Sequence, residues 1–278
     1  MHWVLQEKLF KDDEWENLTS ALERFNIPYT VHKVVPFSGE LIPEVQPQRK
    51  KIICFGSYSM RHTAKAQGWH PGVYDLFEQD FRVQFEHWGD LMLNADSTIV
   101  PFKDAEVTEV SFIRPINDSK YFAGTVFEVQ EFWDWKRKVC VLEHDYGNSL
   151  TGDTIIQICK PKVIYAEYRY WIVGGKIATK SMYKRGDQVI YSKDVDPRFD
   201  EFVDHVLRME KGKRGITLST TPQGWAPHRA FVLDVCDTPD GIKIVEINTI
   251  NASGFYAANV QDLVMALEQL EFNGLENE

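Results

Sequence analysis

Cysteine is scarce in this chain. The four, Cys54, Cys140, Cys159 and Cys236, form no C-x-x-C pair and no grouping with histidine. That excludes a disulfide-stapled scaffold and a zinc cluster, and makes free thiols of a reducing cytoplasm the expectation. Long hydrophobic runs are missing too: none approaches the roughly 20 residues of a membrane span. The stretch 1–8 reaches charge too early for a secretory signal, so the chain is expected to be cytoplasmic with no membrane partner. Positive charge is in deficit, 31 Lys+Arg against 41 Asp+Glu for a net charge of −10. Bulk nucleic acid is repelled by such a chain, and any contact with it needs a local basic patch. There is no internal repeat and no low-complexity tract.

What is present is an ordinary globular mixture, 44% hydrophobic and 26% charged over 278 residues, which excludes wholesale disorder and is ample for a large core. Hydrophobic periodicity predicts strands over 2–6, 29–35, 51–55, 99–101, 110–114, 154–159, 165–173, 176–183, 230–235 and 242–248. It predicts helices over 12–25, 58–67, 76–88, 125–139, 200–210 and 260–270. The β-α-β-β-α order of the first hundred residues suggests a small open α/β sheet. A boundary near residue 100 divides the chain into 1–100 and 101–278.

The strongest local signal is the pair of strands around Pro239-Asp240-Gly241. That tripeptide predicts a type I turn followed by a glycine at positive φ, a three-residue hairpin loop. In that register Thr238 faces Ile242, Asp234 lies opposite Glu246, and Asn248 shares their face. Two carboxylates across a ladder repel and need a cation, and three oxygen ligands suit Mg²⁺. The plain alternative, a solvated hairpin with scattered acids, is weakened by apolar neighbours such as Val232, Leu233, Val235, Ile244 and Ile247.

Cations concentrate in 160–185, where Lys160, Lys162, Arg169, Lys176, Lys180, Lys184 and Arg185 face Glu167 as the main acid. Centred on the Gly174-Gly175 turn, Arg169 and Lys180 fall nearly opposite and are expected to converge on one anion. A basic solvent face is the alternative for the lysines. Arg169, flanked by aromatics, is harder to dismiss, and Glu167 is its plainest structural partner. Arg114 ends an apolar strand and Lys120 sits in the polar loop after it, a pair able to clamp a polyphosphate; for a lone strand-end arginine a structural ion pair is the commoner alternative. The loop lacks the G-x-x-x-x-G-K-[ST] order and is not a P-loop. The histidines are dispersed, and none pairs with Cys or Ser as a nucleophile arrangement requires.

These elements together resemble the ATP-grasp superfamily. Phe112-Ile113-Arg114-Pro115, Lys120-Tyr121-Phe122-Ala123-Gly124, Glu167-Tyr168-Arg169 and Asp234…Glu246-Ile247-Asn248…Ser253-Gly254-Phe255-Tyr256 are similar to the motifs of its clade named for two arginines and a lysine, common in bacteria and their phages. The resemblance covers roughly residues 110–270. It implies an ATP-grasp fold, two α+β lobes clasping ATP, preceded by a small open α/β domain.

The resemblance also implies roles. Asp234, Glu246 and Asn248 would hold Mg²⁺ at the ATP phosphates. Arg114 would contact phosphate, and Lys120 would cover the triphosphate. Backbone groups of Gln157, Ile158 and Cys159 would meet adenine. Glu167 and Arg169 form the E-x-R strand, with Arg169 and Lys180 stabilising the transferred phosphoryl group. Residues 253–256 would flank the acceptor. The implied activity is an ATP- and Mg²⁺-dependent carboxylate–amine (or thiol) ligase, ADP-forming, acting through an acylphosphate. Its partners would be ATP, a carboxylate and a nucleophilic acceptor: an amino acid, a peptide, or a nucleic acid met by the basic stretch 211–214. Kinase-like phosphoryl transfer, a nucleotide-binding regulator without turnover, and a metal hydrolase using the hairpin alone stay open as alternatives. Asp234→Ala and Glu246→Ala are each expected to abolish metal-dependent ATP binding with little loss of fold.

Overall fold

The computed structural model describes residues 1–45, 50–76, 79–117, 122–140, 150–209 and 226–274. Its first sheet is largely parallel. β1 (His2–Gln6) lies between β2 (Tyr29–Val34) and β4 (Lys51–Phe55) and runs parallel to both. Short β3 (Leu41–Ile42) closes one edge and β5 (His70–Gly72) the other. The β1–β2 crossover is α1 (Asp12–Arg24), whose Leu18, Ala21 and Leu22 are fully buried, the single apolar stripe of an amphipathic helix. It stops where Asn26 takes φ +54° ahead of Ile27-Pro28, because the residue before a proline disfavours the helical region. α2 (Met60–Gln67) follows β4 and ends on Gly68 at φ +64°.

α3 (Phe81–Trp88) is shorter than the expected 76–88 helix. Asp80 fixes its start by accepting the Arg82 N–H, as an N-cap does. The next sheet has four antiparallel strands: β6 (Thr98–Pro101), β7 (Ser111–Pro115), β8 (Thr125–Phe127) and β9 (Ile155–Cys159), in the order β6-β9-β7-β8. The helix expected over 125–139 is thereby divided. Thr125, Val126 and Phe127 pair with β7, and α4 (Val129–Cys140) begins only afterwards. β-branched and aromatic residues favour a pleated, half-buried surface, and here that preference wins over helical spacing.

The central sheet is antiparallel throughout. It comprises β10 (Ala166–Val173), β11 (Lys176–Arg185), β12 (Gln188–Ser192), β13 (Ala230–Thr238) and β14 (Gly241–Asn248), in the order β12-β11-β10-β13-β14. β12 was not anticipated: it is an edge strand whose Val189, Ile190 and Tyr191 stay exposed, so it carries no burial pattern. α5 (Pro197–Leu207) is capped by Asp196 and starts on Pro197. α6 (Val260–Gly274) closes the described chain.

Alternation along β10 divides the sheet's two faces. Trp171 and Val173, with Ala230 and Val232 of β13, join Trp3, Leu5, Phe55, Leu18, Leu263 and Leu267 in one core. The first sheet and the central sheet therefore share an interior. Met1 and Trp3 strengthen the joint, each bonding Glu268 of α6 at 2.7 Å. On the other face Tyr168, Tyr170, Ile172, Leu233 and Val235 pack on Phe199, Val203 and Val206 of α5. Each large side chain so buried is worth about 1.5–3 kcal/mol. The outer end of the first face is left polar, and the candidate site lies there.

Candidate active site

Two β-bulges decide which side chains meet. In the β13–β14 hairpin Gly241 takes the expected positive φ, +97°. Thr238, however, pairs with Gly241 rather than with Ile242. Left uncorrected, that register would put Asp234 opposite Val245. The ladder shifts between Asp234 and Val235, leaving Val245 as an extra residue, and Asp234 returns to Glu246. Asn248 joins them, its Nδ2 donating to Asp234 Oδ2 at 3.1 Å and to Glu246 Oε1 at 3.0 Å.

Between β10 and β11 the same device separates two expected partners. Arg169 lies opposite Ser181, and Lys180 opposite Tyr170, because the ladder shifts between Trp171 and Ile172 with Ala178 as the extra residue. The expected convergence of Arg169 and Lys180 is corrected: Lys180 points to the α5 face and pairs with Asp200, to which the Tyr170 hydroxyl also donates at 2.9 Å.

Arg169 lies in register with Asp234 across β10–β13. Its Nε donates to Oδ1 and its Nη2 to Oδ2, each at 2.8 Å. This two-point contact is the arrangement that guanidinium and carboxylate geometry favours. Asp234 is 1% exposed. Burial opposes the charge on Arg169, but the Asp234 carboxylate outweighs it and holds the guanidinium above its ordinary pKa. Burial also raises the Asp234 carboxyl, against the pull of Arg169. Asp234, not Glu167, is thus the arginine's partner. Glu167 instead accepts from the Tyr183 hydroxyl at 2.7 Å and from Lys184 Nζ at 2.8 Å.

Arg114 comes from β7 in the four-stranded sheet, and its Nη2 donates to Glu246 Oε2 at 3.1 Å. One chain of contacts therefore runs Arg169–Asp234–Asn248–Glu246–Arg114 across two sheets. Among the described residues no group of three His, Cys, Asp or Glu side chains could hold a metal. The donors gathered here are two carboxylates and an amide. Carboxylate and amide oxygens are what a hard cation such as Mg²⁺ takes, and in kind the residues fit it, but Asn248 turns its Nδ2 toward both carboxylates and must flip its amide to add an oxygen. Asp234 is the most committed elsewhere, with both oxygens on Arg169. Glu246, whose side chain is 35% exposed, is the most available.

The strand expected to line a base pocket is β9. It lies between β6 and β7, so Gln157 and Ile158 have ladder partners on both sides and Cys159 on one only. The expected use of the Gln157 and Ile158 backbones is corrected accordingly, since their groups are taken up by the sheet; the free side opens at Cys159. Beside this strand a cavity of about 20 Å³ is lined by Phe81, Met92, Arg114, Gln157, Glu246 and Ile247. That is space for about one water, not for a purine ring. Lys120 lies outside the described residues, as does the basic stretch 211–214.

Tyr183 is absent from the expected site, and Tyr256 enters it only within the flank 253–256. Both rings lie against Arg169, with its guanidinium carbon 5.6 Å and 5.1 Å from their centroids. Tyr256 Oη accepts from Arg169 Nη1 at 3.3 Å. The signal for Tyr183 was alternation alone, and the ladder shift between Glu167 and Tyr168 obscures it.

A family model matches residues 55–267; it describes an ATP-grasp domain, family 3 of the clade named for two arginines and a lysine. No curated protein matches the chain by sequence. The crystal structure of a RimK domain ATP-grasp protein from Sphaerobacter thermophilus DSM 20745 is similar with a TM-score of 0.54 and 12% identity, over 90% of this chain and 92% of that one. The structure of the ATP-grasp ligase PsnB with a phosphomimetic variant of its minimal precursor, Mg and ADP is similar with a TM-score of 0.50 and 12% identity, over 97% and 96%. At such identity the likeness is one of fold.

Proposed function

Because the chain belongs to the ATP-grasp superfamily, as a member of family 3 of the two-arginine, one-lysine clade, we propose that it is an ATP-dependent ligase. In this reading it is ADP-forming and joins a carboxylate to an amine or thiol. The fold is the ATP-grasp fold. The observation that carries the reading is the contact chain from Arg169 to Arg114. It brings two arginines and three oxygen-bearing side chains from two sheets to one place. A site that transfers a phosphoryl group needs that charge pattern and no side-chain nucleophile. The PsnB complex with Mg and ADP supports the same reading in kind.

Each residue has a part in it. Glu246 and Asn248, with Asp234 behind them, would hold Mg²⁺. When bound, the metal neutralises charge on phosphate oxygens. Arg114 exchanges Glu246 for a phosphate oxygen. Arg169, oriented by Asp234, faces the oxygens that gain charge as the γ-phosphoryl group passes to the substrate carboxylate. The acylphosphate so formed is attacked by the acceptor nucleophile, releasing phosphate. Lys120 retains its place over the triphosphate on motif alone, and Lys180, paired with Asp200, is left out. Backbone contact with adenine begins at Cys159.

The test is incubation with ATP, Mg²⁺ and panels of carboxylates and nucleophiles. Ligation gives ADP and phosphate together with a condensed product. ADP with a phosphorylated product and no free phosphate would replace it with kinase-like transfer. ATP binding without turnover across the panels would replace it with a regulator.

A further inference from the structure

Tyr256 adopts a backbone conformation that its side chain does not favour. Its φ is +54°, in the left-handed region that residues with a Cβ rarely enter. Two side chains from separate elements hold it there. Tyr256 N–H donates to Glu14 Oε1 at 2.9 Å, and Ala257 N–H donates to Ser181 Oγ at 3.1 Å. Glu14 comes from α1 against the first sheet, and Ser181 from β11 of the central sheet. Glu14 is 8% exposed, and a carboxylate is costly to bury unless hydrogen-bonded. Gly254 leaves room for it, since a Cβ there would stand 3.2 Å from Glu14 Oε1.

The consequence falls on Arg169. The Tyr256 ring lies 5.1 Å from its guanidinium carbon and stacks on Tyr183 at 5.2 Å between centroids. The Tyr256 hydroxyl takes one Nη1 proton. A guanidinium has five N–H donors. Among the described residues Asp234 and Tyr256 take three, which leaves two for a ligand.

We propose that Glu14 is a positioning residue. Through the Tyr256 N–H it fixes the left-handed turn that sets Tyr256 against Arg169, and so fixes the direction in which Arg169 offers its remaining donors. The inference rests on the reading of Arg169 as the phosphoryl-contacting arginine, but its test does not depend on turnover.

The probe is the Arg169 Nε–H resonance in ¹⁵N-labelled full-length protein, assigned by its loss in Arg169→Lys. Wild type should show a ring-shifted, slowly exchanging signal. Glu14→Ala should move it toward the position of an exposed arginine. Glu14→Gln, whose amide oxygen still accepts the Tyr256 N–H, should leave it in place. If Glu14→Ala does not fold, Gly254→Ala, which crowds Glu14 Oε1, should produce the same displacement. With an acceptor in hand, Glu14→Ala should lower kcat by about ten- to a hundredfold at an unchanged KM for ATP, as a misoriented group does, and Glu14→Gln should restore it. An Arg169 signal that ignores both Glu14→Ala and Gly254→Ala overturns the proposal, as does Glu14→Gln behaving like Glu14→Ala. A signal that follows Glu14 in a chain without ligase turnover upholds the positioning role and removes the ligase reading instead.

Discussion

Arg114 and Glu246 meet across two sheets, with the arginine Nη2 3.1 Å from Glu246 Oε2. The side chains are 21% and 35% exposed, so the pair contributes no more than about 1 kcal/mol to stability. A contact that weak is readily exchanged for a ligand. Arg114→Met should therefore shift the melting temperature by no more than about 2–4 °C. It should also weaken ATP binding by about tenfold or more, the worth of one charge-assisted contact. Thermal denaturation and titration calorimetry on the same preparation check both halves.

Asp234 behaves differently from Glu246, and the expectation of little loss of fold for both is corrected for Asp234. Removing it leaves the buried Arg169 guanidinium without its two-point partner. Breaking a buried pair from one side costs about 3–5 kcal/mol. Asp234→Ala should show a large loss in urea-unfolding midpoint, and Glu246→Ala a small one. Equal, small losses would mean that the Arg169–Asp234 contact is not held in solution.

Among the described residues the cavity beside β9 holds only about 20 Å³, and a nucleotide base that binds there requires the cavity to widen first. Stopped-flow binding of a fluorescent ATP analogue should give an observed rate that levels off with concentration, as an opening step that precedes binding requires. A rate that rises linearly throughout would mean that the cleft is already open in solution.

His228 supplies a pH test. Burial, and then the neighbouring Arg229, pull its pKa down to about 4 from 6.5. Between those values the unfolded chain binds the proton and the folded chain does not. This residue's contribution is therefore complete above pH 6.5 and is lost as the pH falls toward 4. His228→Gln should flatten part of the acid decline in urea midpoints, and an unchanged slope would contradict the assignment.

The sequence made the parts of the site legible and left their pairings partly hidden. Asp234 opposite Glu246 was readable because two departures cancel. The turn pairs Thr238 with Gly241, and the extra residue Val245 then restores the register. Between β10 and β11 nothing cancels, and the extra Ala178 sends Lys180 to the wrong face for Arg169. Bulges have no signature in apolar alternation, so counting outward from a turn fails wherever one intervenes. β12 escaped because Val189, Ile190 and Tyr191 are all exposed. Glu14 escaped because its partner is a backbone N–H 242 residues away, a distance that no local pattern spans.

In the proposed ligase the β13–β14 hairpin holds Mg²⁺ beside the phosphates of ATP. Titration calorimetry of ATP into wild type and Glu246→Ala, each with Mg²⁺ and with the metal chelated, tests it directly. Wild type should bind ATP at least about tenfold more tightly with Mg²⁺ than without, and Glu246→Ala should lose this difference while remaining folded. Equal metal dependence in the two proteins would contradict it.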